Sequence, residues 1–206
     1  MDSCRGVSRS AEILAGTDEA GRGPLAGPVV AAAVILNRVQ EAALVGLGLR
    51  DSKKLSPFRR EELFAEMLRL GVLWAAQAAG VSRILKQNIS GASLWAMGRS
   101  VLRLPVKPEL LVVDGLQKIP GLPIEQMPLV KADDRVPAVS AASVIAKVLR
   151  DRVMTALDRL YPLYGFAVHK GYPTKAHREA VRVHGLSPVH RELFCRKLLR
   201  ERTERL

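Results

Sequence analysis

Cysteine is scarce in this chain, and its spacing excludes two classes of site. The two cysteines, Cys4 and Cys195, lie near opposite ends of the 206 residues. They have neither the paired spacing of a zinc site nor the pattern of a disulfide-stabilised secreted domain. The four histidines show no His-Glu-x-x-His spacing, so a zinc hydrolase of that kind is not expected. This cysteine usage predicts a reduced, cytoplasmic setting.

Long apolar runs and several well-known enzyme motifs are also missing. No apolar stretch approaches the ~20 residues of a membrane-spanning helix. The first residues carry charges but lack the apolar region of a secretory signal. The chain has no P-loop, no dinucleotide-binding fingerprint and no Gly-x-Ser-x-Gly elbow. We therefore expect no membrane association, and no nucleotide-binding or serine-hydrolase chemistry of those types.

Positive charge is abundant. The chain has 32 lysines and arginines against 20 acidic residues, a net charge of +12, and 48% of its residues are hydrophobic. That length and composition allow one domain with a buried core and, at most, a small appendage. The charge predicts a polyanionic partner, of which nucleic acid is the commonest. A basic but merely solvated surface is the alternative that charge alone leaves open.

Two adjacent acids precede a glycine-rich turn. Asp18 and Glu19 follow a short apolar run and come directly before Gly21, Arg22 and Gly23. Neighbouring carboxylates repel each other unless a cation lies between them, and hard divalent metals prefer such oxygen ligands. The bare glycine backbone lets a sugar-phosphate strand approach closely. A tight turn that needs positive φ is the equally good structural explanation of the glycines.

The other acids of interest lie where strands end or helices begin. Asp114 ends a short apolar run, and Asp133 and Asp134 precede a long helical pattern. Strand ends and helix starts meet in one crevice of an open α/β sheet. Three or four carboxylates there could hold one or two Mg²⁺ or Mn²⁺ ions, which activate water and stabilise the leaving oxygen of a phosphodiester. A turn or cap role explains any single aspartate equally well.

Polar and basic residues elsewhere suggest phosphate contacts. Lys53 lies in a polar loop, and Ser140 and Ser143 open the long helical pattern one turn before Lys147, a typical phosphate seat. Tyr172, in a basic loop, could stack on a sugar or base. Solvated lysines, close helix packing and a surface tyrosine are the structural alternatives.

The periodicity predicts a sheet with helices packed on it. Strands are predicted at residues 13–17, 29–36, 72–80, 110–113 and 126–131, the first two forming a hairpin-like start. Helices are predicted from the Ser56 cap to Gly71 and at residues 88–104 and 140–160, with a loop at 37–55. Short basic helices follow residue 174. The pattern indicates an α/β protein with a small C-terminal helical cap.

Six ordered segments resemble the ribonuclease HII family, the bacterial type 2 ribonuclease H. They are residues 18–28 (DEAGRGPLAGP), 51–56 (DSKKLS), 113–115 (VDG), 131–151 (KADDRVPAVSAASVIAKVLRD), 169–177 (HKGYPTKAH) and 187–194 (SPVHRELF). The resemblance spans about residues 13–194. It implies a ribonuclease H-like fold, with a mixed central β-sheet flanked by helices. The catalytic domain would cover residues 1–173, and residues 174–206 would form a C-terminal helical extension of the same unit.

The resemblance also implies an activity and its residues. A divalent metal, Mn²⁺ or Mg²⁺, would be held by the four carboxylates Asp18, Glu19, Asp114 and Asp133. The enzyme would hydrolyse RNA in RNA–DNA hybrids and nick duplex DNA 5′ of an embedded ribonucleotide, leaving 3′-OH and 5′-phosphate ends. The 2′-OH would be read by the backbone of Gly21, Arg22 and Gly23. Tyr172 would pack against the following sugar. We take a monomer as the default state.

Two other readings remain at this point. A resolvase-like enzyme of the same fold would share the carboxylates but would cut DNA junctions, with no need to read a 2′-OH. A basic nucleic-acid-binding protein without catalysis would bind independently of metal and cut nothing. A ribonuclease HII would strictly require a ribonucleotide, whereas a resolvase-like enzyme would not. Strand scission would exclude the non-catalytic binding protein.

Overall fold

The computed structural model describes residues 13–203 and is built around one mixed five-stranded sheet. The strands are Leu14–Ala20 (β1), Val29–Ile35 (β2), Leu73–Ala79 (β3), Leu110–Asp114 (β4) and Glu125–Leu129 (β5). Their order in the sheet is β3-β2-β1-β4-β5. The pairs β1–β2 and β2–β3 are antiparallel, whereas β1–β4 and β4–β5 are parallel. All five predicted strands are therefore confirmed, within a few residues at their ends.

Helices cover both faces of this sheet. They are Arg38–Gly46 (α1), Pro57–Arg69 (α2), Val81–Val101 (α3), Pro137–Leu160 (α4), Phe166–His169 (α5), Lys175–His184 (α6) and Glu192–Thr203 (α7). Alternate residues of β2 divide between two cores. Ala32 and Val34 pack with α1, α2 and α4, while Ala33 and Ile35 pack with α3. The predicted α/β class with a mixed, helix-flanked sheet is confirmed.

The predicted loop at residues 37–55 is wrong in its first half. Helix α1 begins after Asn37, whose side chain accepts from the Gln40 backbone N–H at 2.9 Å, while the Gln40 side chain accepts from the Asn37 N–H at 3.0 Å. This reciprocal capping box satisfies two N–H groups that a helix start leaves free. Leu44 anchors the helix in the core. A short 3₁₀ turn, Ser52–Lys54, follows before α2.

Two other helices begin earlier than the sequence indicates. Helix α4 starts at Pro137, so Ser140 lies inside its first turn instead of opening it. Proline suits the first helical position because its missing N–H has no partner there in any case. Helix α3 starts at Val81 behind Gly80, which offers no side-chain cap, and Asn88 interrupts it with φ of 59°. The missing cap and this interruption explain why the sequence indicates only the later part.

Helix α4 lies directly on β1 because one residue of the strand has no side chain. A Cβ atom at Gly16 would collide with the Val139 nitrogen and the Ala138 backbone. Only glycine permits this approach of helix backbone to strand backbone. The contact brings the first turns of α4 against the strand two residues before Asp18. The predicted acid of β1 and the serines of α4 therefore meet.

The C-terminal helices share a hydrophobic cluster with the rest of the protein. Phe166, Val181 and Cys195 pack there with Met154 of α4 and with Leu25 of the turn between β1 and β2. Cys195 is a buried free thiol, whereas Cys4 lies outside the described residues. The boundary expected at residue 173 stays a prediction. Within residues 13–203, no helix is both long and apolar enough to cross a bilayer.

Candidate active site

Strand pairing brings three of the predicted carboxylates together. Thr17 of β1 lies beside Val113 of β4 in the parallel register, so Asp18 and Asp114 follow side by side. Asp133 lies on a 3₁₀ turn after β5, just before α4. One carboxylate oxygen from each of Asp18, Asp114 and Asp133 lies within 4.8 Å of the other two. This spacing suits three oxygen ligands around one divalent cation.

Backbone hydrogen bonds fix two of these carboxylates. An oxygen of Asp18 accepts from the Glu19 N–H at 2.7 Å, and an oxygen of Asp114 accepts from the Ala132 N–H at 2.8 Å. The second bond ties the end of β4 to the turn that carries Asp133. Each carboxylate has a second oxygen that these bonds leave free. The side chains are thus oriented before any ligand binds, which reduces the ordering cost of binding.

The two neighbouring aspartates of the 3₁₀ turn have different surroundings. Asp133 is buried and accepts from the Lys53 ammonium at 3.2 Å. Asp134 points away from the cluster and accepts from the Lys54 ammonium with both oxygens, at 2.6 and 2.7 Å. The three-carboxylate cluster therefore includes Asp133 and leaves out Asp134. Lys53, a predicted phosphate contact, and its neighbour Lys54 thus pair with different acids.

The fourth predicted carboxylate, Glu19, lies beside the cluster without joining it. One of its oxygens accepts from the Arg22 guanidinium at 3.2 Å, while the other is buried without a hydrogen-bond partner. A buried carboxylate oxygen left unpaired is costly unless a cation or bound water meets it. This orphaned oxygen is independent evidence that the site suits a metal with its coordinated water.

Electrostatics points in the same direction. Burial raises the pKa of Asp18 well above its usual value, and the charges of Glu19 and Asp114 raise it further. Burial also raises the pKa of Asp133, although the hydrogen bond and charge of Lys53 oppose this. The acids therefore destabilise one another when no cation is present. Magnesium and manganese, which favour carboxylate oxygen, match this donor set.

The two predicted phosphate-binding serines serve the carboxylates instead of facing outward. The buried Ser140 hydroxyl donates to the Asp133 carbonyl at 2.7 Å and fixes the 3₁₀ turn. The Ser143 hydroxyl bonds to the Asp18 side chain and lies 2.8 Å from the Ser52 hydroxyl. Their burial inside α4, which begins earlier than predicted, explains the difference. Both serines position the site's acids.

The glycine-rich turn presents open backbone next to these acids. Gly21 has φ of 100°, a conformation that other residues rarely adopt. Nothing lies within 4 Å of the place where a Cβ at Gly23 would stand. Among the described residues, neither the Arg22 nor the Gly23 N–H has a hydrogen-bond partner. Two backbone donors are therefore available in the turn that follows the strand carrying Asp18 and Glu19.

Two buried arginines that the sequence reading missed lie behind this turn, and of the two only Arg191 bonds to the carbonyls of Gly21 and Arg22. Arg150 of α4 and Arg191, just before α7, are both fully buried. Their guanidinium groups donate only to backbone carbonyls, at 2.7 to 3.2 Å. Both belong to segments that carry the family resemblance. The sequence gives no sign of their burial, since arginine is usually exposed.

Lys147 and Tyr172 lie together, some distance along α4 from the carboxylates. The Lys147 ammonium pairs with Asp151 at 2.7 Å and lies 5.5 Å from the centre of the Tyr172 ring. Burial lowers the pKa of Lys147 despite the pairing with Asp151. Tyr172 is 39% exposed. Both residues line a groove of about 710 Å³ between α2, α4 and the Tyr172 loop.

Neutral histidines support the Tyr172 loop. Ser187 N–H donates to Nδ1 of His190 at 3.0 Å, so Nε2 of His190 carries the proton and donates to Nε2 of His177 at 3.1 Å. The proton of His177 is therefore on Nδ1, which lies 2.9 Å from the Tyr172 carbonyl. Burial lowers the pKa of both histidines to about 4. Protonation of His177 would place two N–H donors against each other and break the His177–His190 hydrogen bond. Protonation of His190 would do the same to its hydrogen bond with the Ser187 N–H.

The hydrogen-bonded pair His177 and His190 predicts that the folded protein loses stability in acid. Unfolded histidines titrate near pH 6.5, so between about 6.5 and the folded value of about 4 the unfolded chain binds more protons. Stability should therefore fall as the pH decreases through that window. We expect His177→Asn to lower the free energy of unfolding at pH 7.5 by ~1–3 kcal/mol, with a weaker pH dependence. Urea unfolding at several pH values measures both effects, and an unchanged slope would contradict the assignment.

Comparison with known proteins assigns the chain to a family. The ribonuclease HII family model matches residues 15–197. Ribonuclease HII of Marinomonas sp. (strain MWYL1) is 50% identical over 183 residues, which is 89% of this chain and 90% of that protein. The chain belongs to the ribonuclease HII family. It is accordingly a metal-dependent endoribonuclease that hydrolyses RNA in RNA–DNA hybrids.

Solved structures agree with this membership. The crystal structure of ribonuclease H2 from Pyrococcus horikoshii OT3 superimposes with a TM-score of 0.78 at 27% identity, over 93% of this chain and 99% of that one. A structure of Bst-RNase HIII in complex with Mn²⁺ has a TM-score of 0.71 at 21% identity, over 93% and 70% of the two chains. The expected ribonuclease H-like fold is therefore confirmed.

Proposed function

We propose that this enzyme also nicks duplex DNA on the 5′ side of a single embedded ribonucleotide, leaving 3′-OH and 5′-phosphate ends. One observation carries the proposal. The backbone donors of Arg22 and Gly23 follow directly on the strand end that carries Asp18 and Glu19. The backbone that would recognise one ribose thus belongs to the same short segment as two acids of the candidate metal site. Recognition of one sugar suffices in this arrangement, so a long RNA strand is not required.

The proposed metal ligands are Asp18, Glu19, Asp114 and Asp133. The donor set favours Mg²⁺ or Mn²⁺, and the Mn²⁺ complex of the structurally similar Bst-RNase HIII supports the same choice. When bound, such ions lower the pKa of a coordinated water and neutralise charge on the leaving oxygen. The protein holds the three converging carboxylates in place and keeps the free oxygen of Glu19 beside them. Lys53, at the rim, neutralises Asp133 and can meet the incoming phosphate backbone.

Ribose recognition is assigned to the turn. A 2′-OH offers lone pairs to the N–H groups of Arg22 and Gly23, whereas a deoxyribose offers none. Binding DNA alone would bury these donors unpaired, a cost of ~1–3 kcal/mol for each group. Tyr172 is proposed to pack on the neighbouring sugar. Its loop is joined to the turn, since Leu25 N–H donates to the Gly171 carbonyl at 2.8 Å.

The remaining substrate contacts are electrostatic. With a net charge of +12, the protein attracts a phosphate backbone, and its binding should weaken steeply as salt increases. Lys147, in the groove beside Tyr172, is proposed to meet a phosphate there. The cytoplasmic setting expected from cysteine usage and the monomeric state both stay predictions. Gel filtration with light scattering checks the second.

A series of duplexes that differ at one 2′ position tests the proposal. The central sugar is ribose, deoxyribose or 2′-O-methyl ribose, and every other nucleotide is identical. We expect cleavage only at ribose, because the methyl group blocks close approach and the deoxyribose lacks the acceptor. Cleavage of a long RNA–DNA hybrid serves as the positive control. Active enzyme that leaves the single ribonucleotide intact, or that also cuts the deoxyribose duplex, would contradict the proposal.

Removal of the Tyr172 ring should impair this reaction. Stacking of an aromatic side chain on a nucleotide is worth ~1–3 kcal/mol, so Tyr172→Ala should lower kcat/KM on the single-ribonucleotide duplex roughly 5- to 150-fold. Tyr172→Phe keeps the ring and is the matched control. We expect it to stay within about threefold of wild type. Equal rates for the alanine and phenylalanine variants would contradict the stacking role.

A further inference from the structure

The segment before α7 reaches across the molecule to the glycine-rich turn. The Arg191 guanidinium donates to the carbonyls of Gly21 at 2.7 Å, Arg22 at 2.9 Å, Pro24 at 3.0 Å and Gly27 at 2.9 Å. One side chain thus engages four carbonyls within seven residues of sequence. Only the planar, five-donor guanidinium can serve so many acceptors in fixed directions.

Arg191 has no acidic partner for its buried charge. It is fully buried, and among residues 13–203 no carboxylate forms an ion pair with it. The carbonyl dipoles of the turn, together with the Phe194 ring 5.4 Å from the guanidinium carbon, therefore stabilise this charge. A buried charge without a counter-ion is costly unless every donor is satisfied. The arginine and the turn consequently hold each other in a single conformation.

Peptide geometry determines what this does to the exposed side of the turn. In a planar trans peptide the carbonyl of one residue and the N–H of the next point in opposite directions. Because the Gly21 and Arg22 carbonyls point inward to Arg191, the N–H groups of Arg22 and Gly23 point away from it. In the Pro24–Leu25 peptide, too, the carbonyl and the N–H point in opposite directions. Pro24 offers its carbonyl to Arg191, while Leu25 donates its N–H to the Gly171 carbonyl beside Tyr172.

We propose that Arg191 is a positioning residue for substrate specificity, which orients the N–H groups of Arg22 and Gly23 toward the ribose 2′-OH. Through the Pro24–Leu25 peptide it also sets the turn against the Tyr172 loop. The inference rests on the proposed function, since it takes this turn as the ribose reader. It gives the C-terminal segment a role in distinguishing RNA from DNA, in addition to packing.

Ribose-dependent binding measures this role without cleavage. In an Asp18→Asn background, the affinity for a single-ribonucleotide duplex is divided by the affinity for the same all-DNA duplex. We expect a ratio of at least tenfold in this parent. Adding Arg191→Lys should bring the ratio close to one, because lysine keeps the charge but cannot donate to the four carbonyls that the guanidinium engages. Adding Arg150→Lys is the matched buried control. It removes hydrogen bonds to the carbonyls of Ala26, Pro28 and Lys170 but none to those of Gly21 and Arg22, so most of the ratio should remain.

Chemical rescue provides a second measurement. Arg191→Ala leaves a buried space that a free guanidinium ion fits, and millimolar guanidinium should restore the ratio while equal sodium chloride should not. Melting curves establish that each variant is folded. Two results would overturn this inference but leave the proposed function standing. In one, the affinity ratio is high in the Asp18→Asn parent and stays high with Arg191→Lys. In the other, Arg191→Lys and Arg150→Lys lower the ratio equally. A ratio of one in the parent would instead overturn the proposed ribose reading, and the inference with it.

Discussion

Asp18→Asn is expected to abolish cleavage while the protein stays folded. Asp18 is central to the three-carboxylate cluster and is buried. Metal stabilisation of transition-state charge is worth several kcal/mol, and each ~1.4 kcal/mol is a factor of ten in rate. We therefore expect a loss of ~10³-fold or more in kcat. Steady-state cleavage of an RNA–DNA hybrid with Mg²⁺ and with Mn²⁺ measures it.

The same substitution should stabilise the metal-free protein. The folded pKa of Asp18 is raised well above the unfolded value of 3.8 by burial and by its acidic neighbours. The carboxyl group therefore lowers stability above pH 3.8, increasingly until its folded pKa is passed. In EDTA at neutral pH, asparagine should raise Tm, whereas added metal should stabilise only the wild type. Near wild-type turnover, or a lower Tm in EDTA, would contradict the metal assignment.

The second large effect is expected from one of two adjacent aspartates. Asp133→Asn should lower kcat by ~10²-fold or more, since it removes a charged oxygen from the cluster. Asp134→Asn should change kcat less than about threefold, because Asp134 pairs with Lys54 outside the cluster. An exposed pair of this kind contributes only ~0–1 kcal/mol to stability. The two variants have the same chemistry and differ by one position in sequence.

Metal titration of both variants completes this comparison. Isothermal titration with Mn²⁺ should show weakened binding for Asp133→Asn and wild-type binding for Asp134→Asn. A reversed pattern would assign the ligand to Asp134 and would require the 3₁₀ turn to rearrange on metal binding. Wild-type activity in both variants would mean that neither aspartate is a ligand on its own.

The sheet and the acid cluster could be predicted because their signals are local or topological. Short apolar runs bounded by glycine and proline indicate strands, and all five were found. Asp18 and Asp114 each lie at a strand end, so that parallel pairing alone brings them together. The choice of Asp133 came from the family resemblance, since spacing cannot separate it from Asp134. The geometry now distinguishes the two by burial and lysine partner.

What the sequence could not indicate depends on burial. Ser140 and Ser143 read as helix-start hydroxyls, but α4 begins at Pro137 and turns both toward the acids. Arg191 reads as one of many basic surface residues, yet it is buried behind the turn. Helix α1 was missed because it is short and buries only Leu44, while its Val39 and Val45 are exposed, so that its apolar residues do not form one helical stripe. The roles of the two serines and of Arg191 were missed because tertiary packing, and not local pattern, decides them.

The family membership also decides between the earlier readings. A non-catalytic basic protein has no need of converging buried acids with an orphaned oxygen on Glu19. A resolvase-like enzyme would share those acids, but ribonuclease HII relatives match most of the chain at about 50% identity. The open backbone of the Arg22 turn is the feature that a junction-cutting enzyme would not require.

The most direct test of the central claim uses a labelled DNA duplex with one internal ribonucleotide. An all-DNA duplex accompanies it, and each is incubated with Mg²⁺, Mn²⁺ or EDTA before the ends are mapped. We expect one nick immediately 5′ of the ribonucleotide, 3′-OH and 5′-phosphate ends, and no cleavage in EDTA or of all-DNA. Cleavage of the all-DNA duplex, cleavage in EDTA, or an intact ribonucleotide duplex with enzyme that cuts a long hybrid would contradict it.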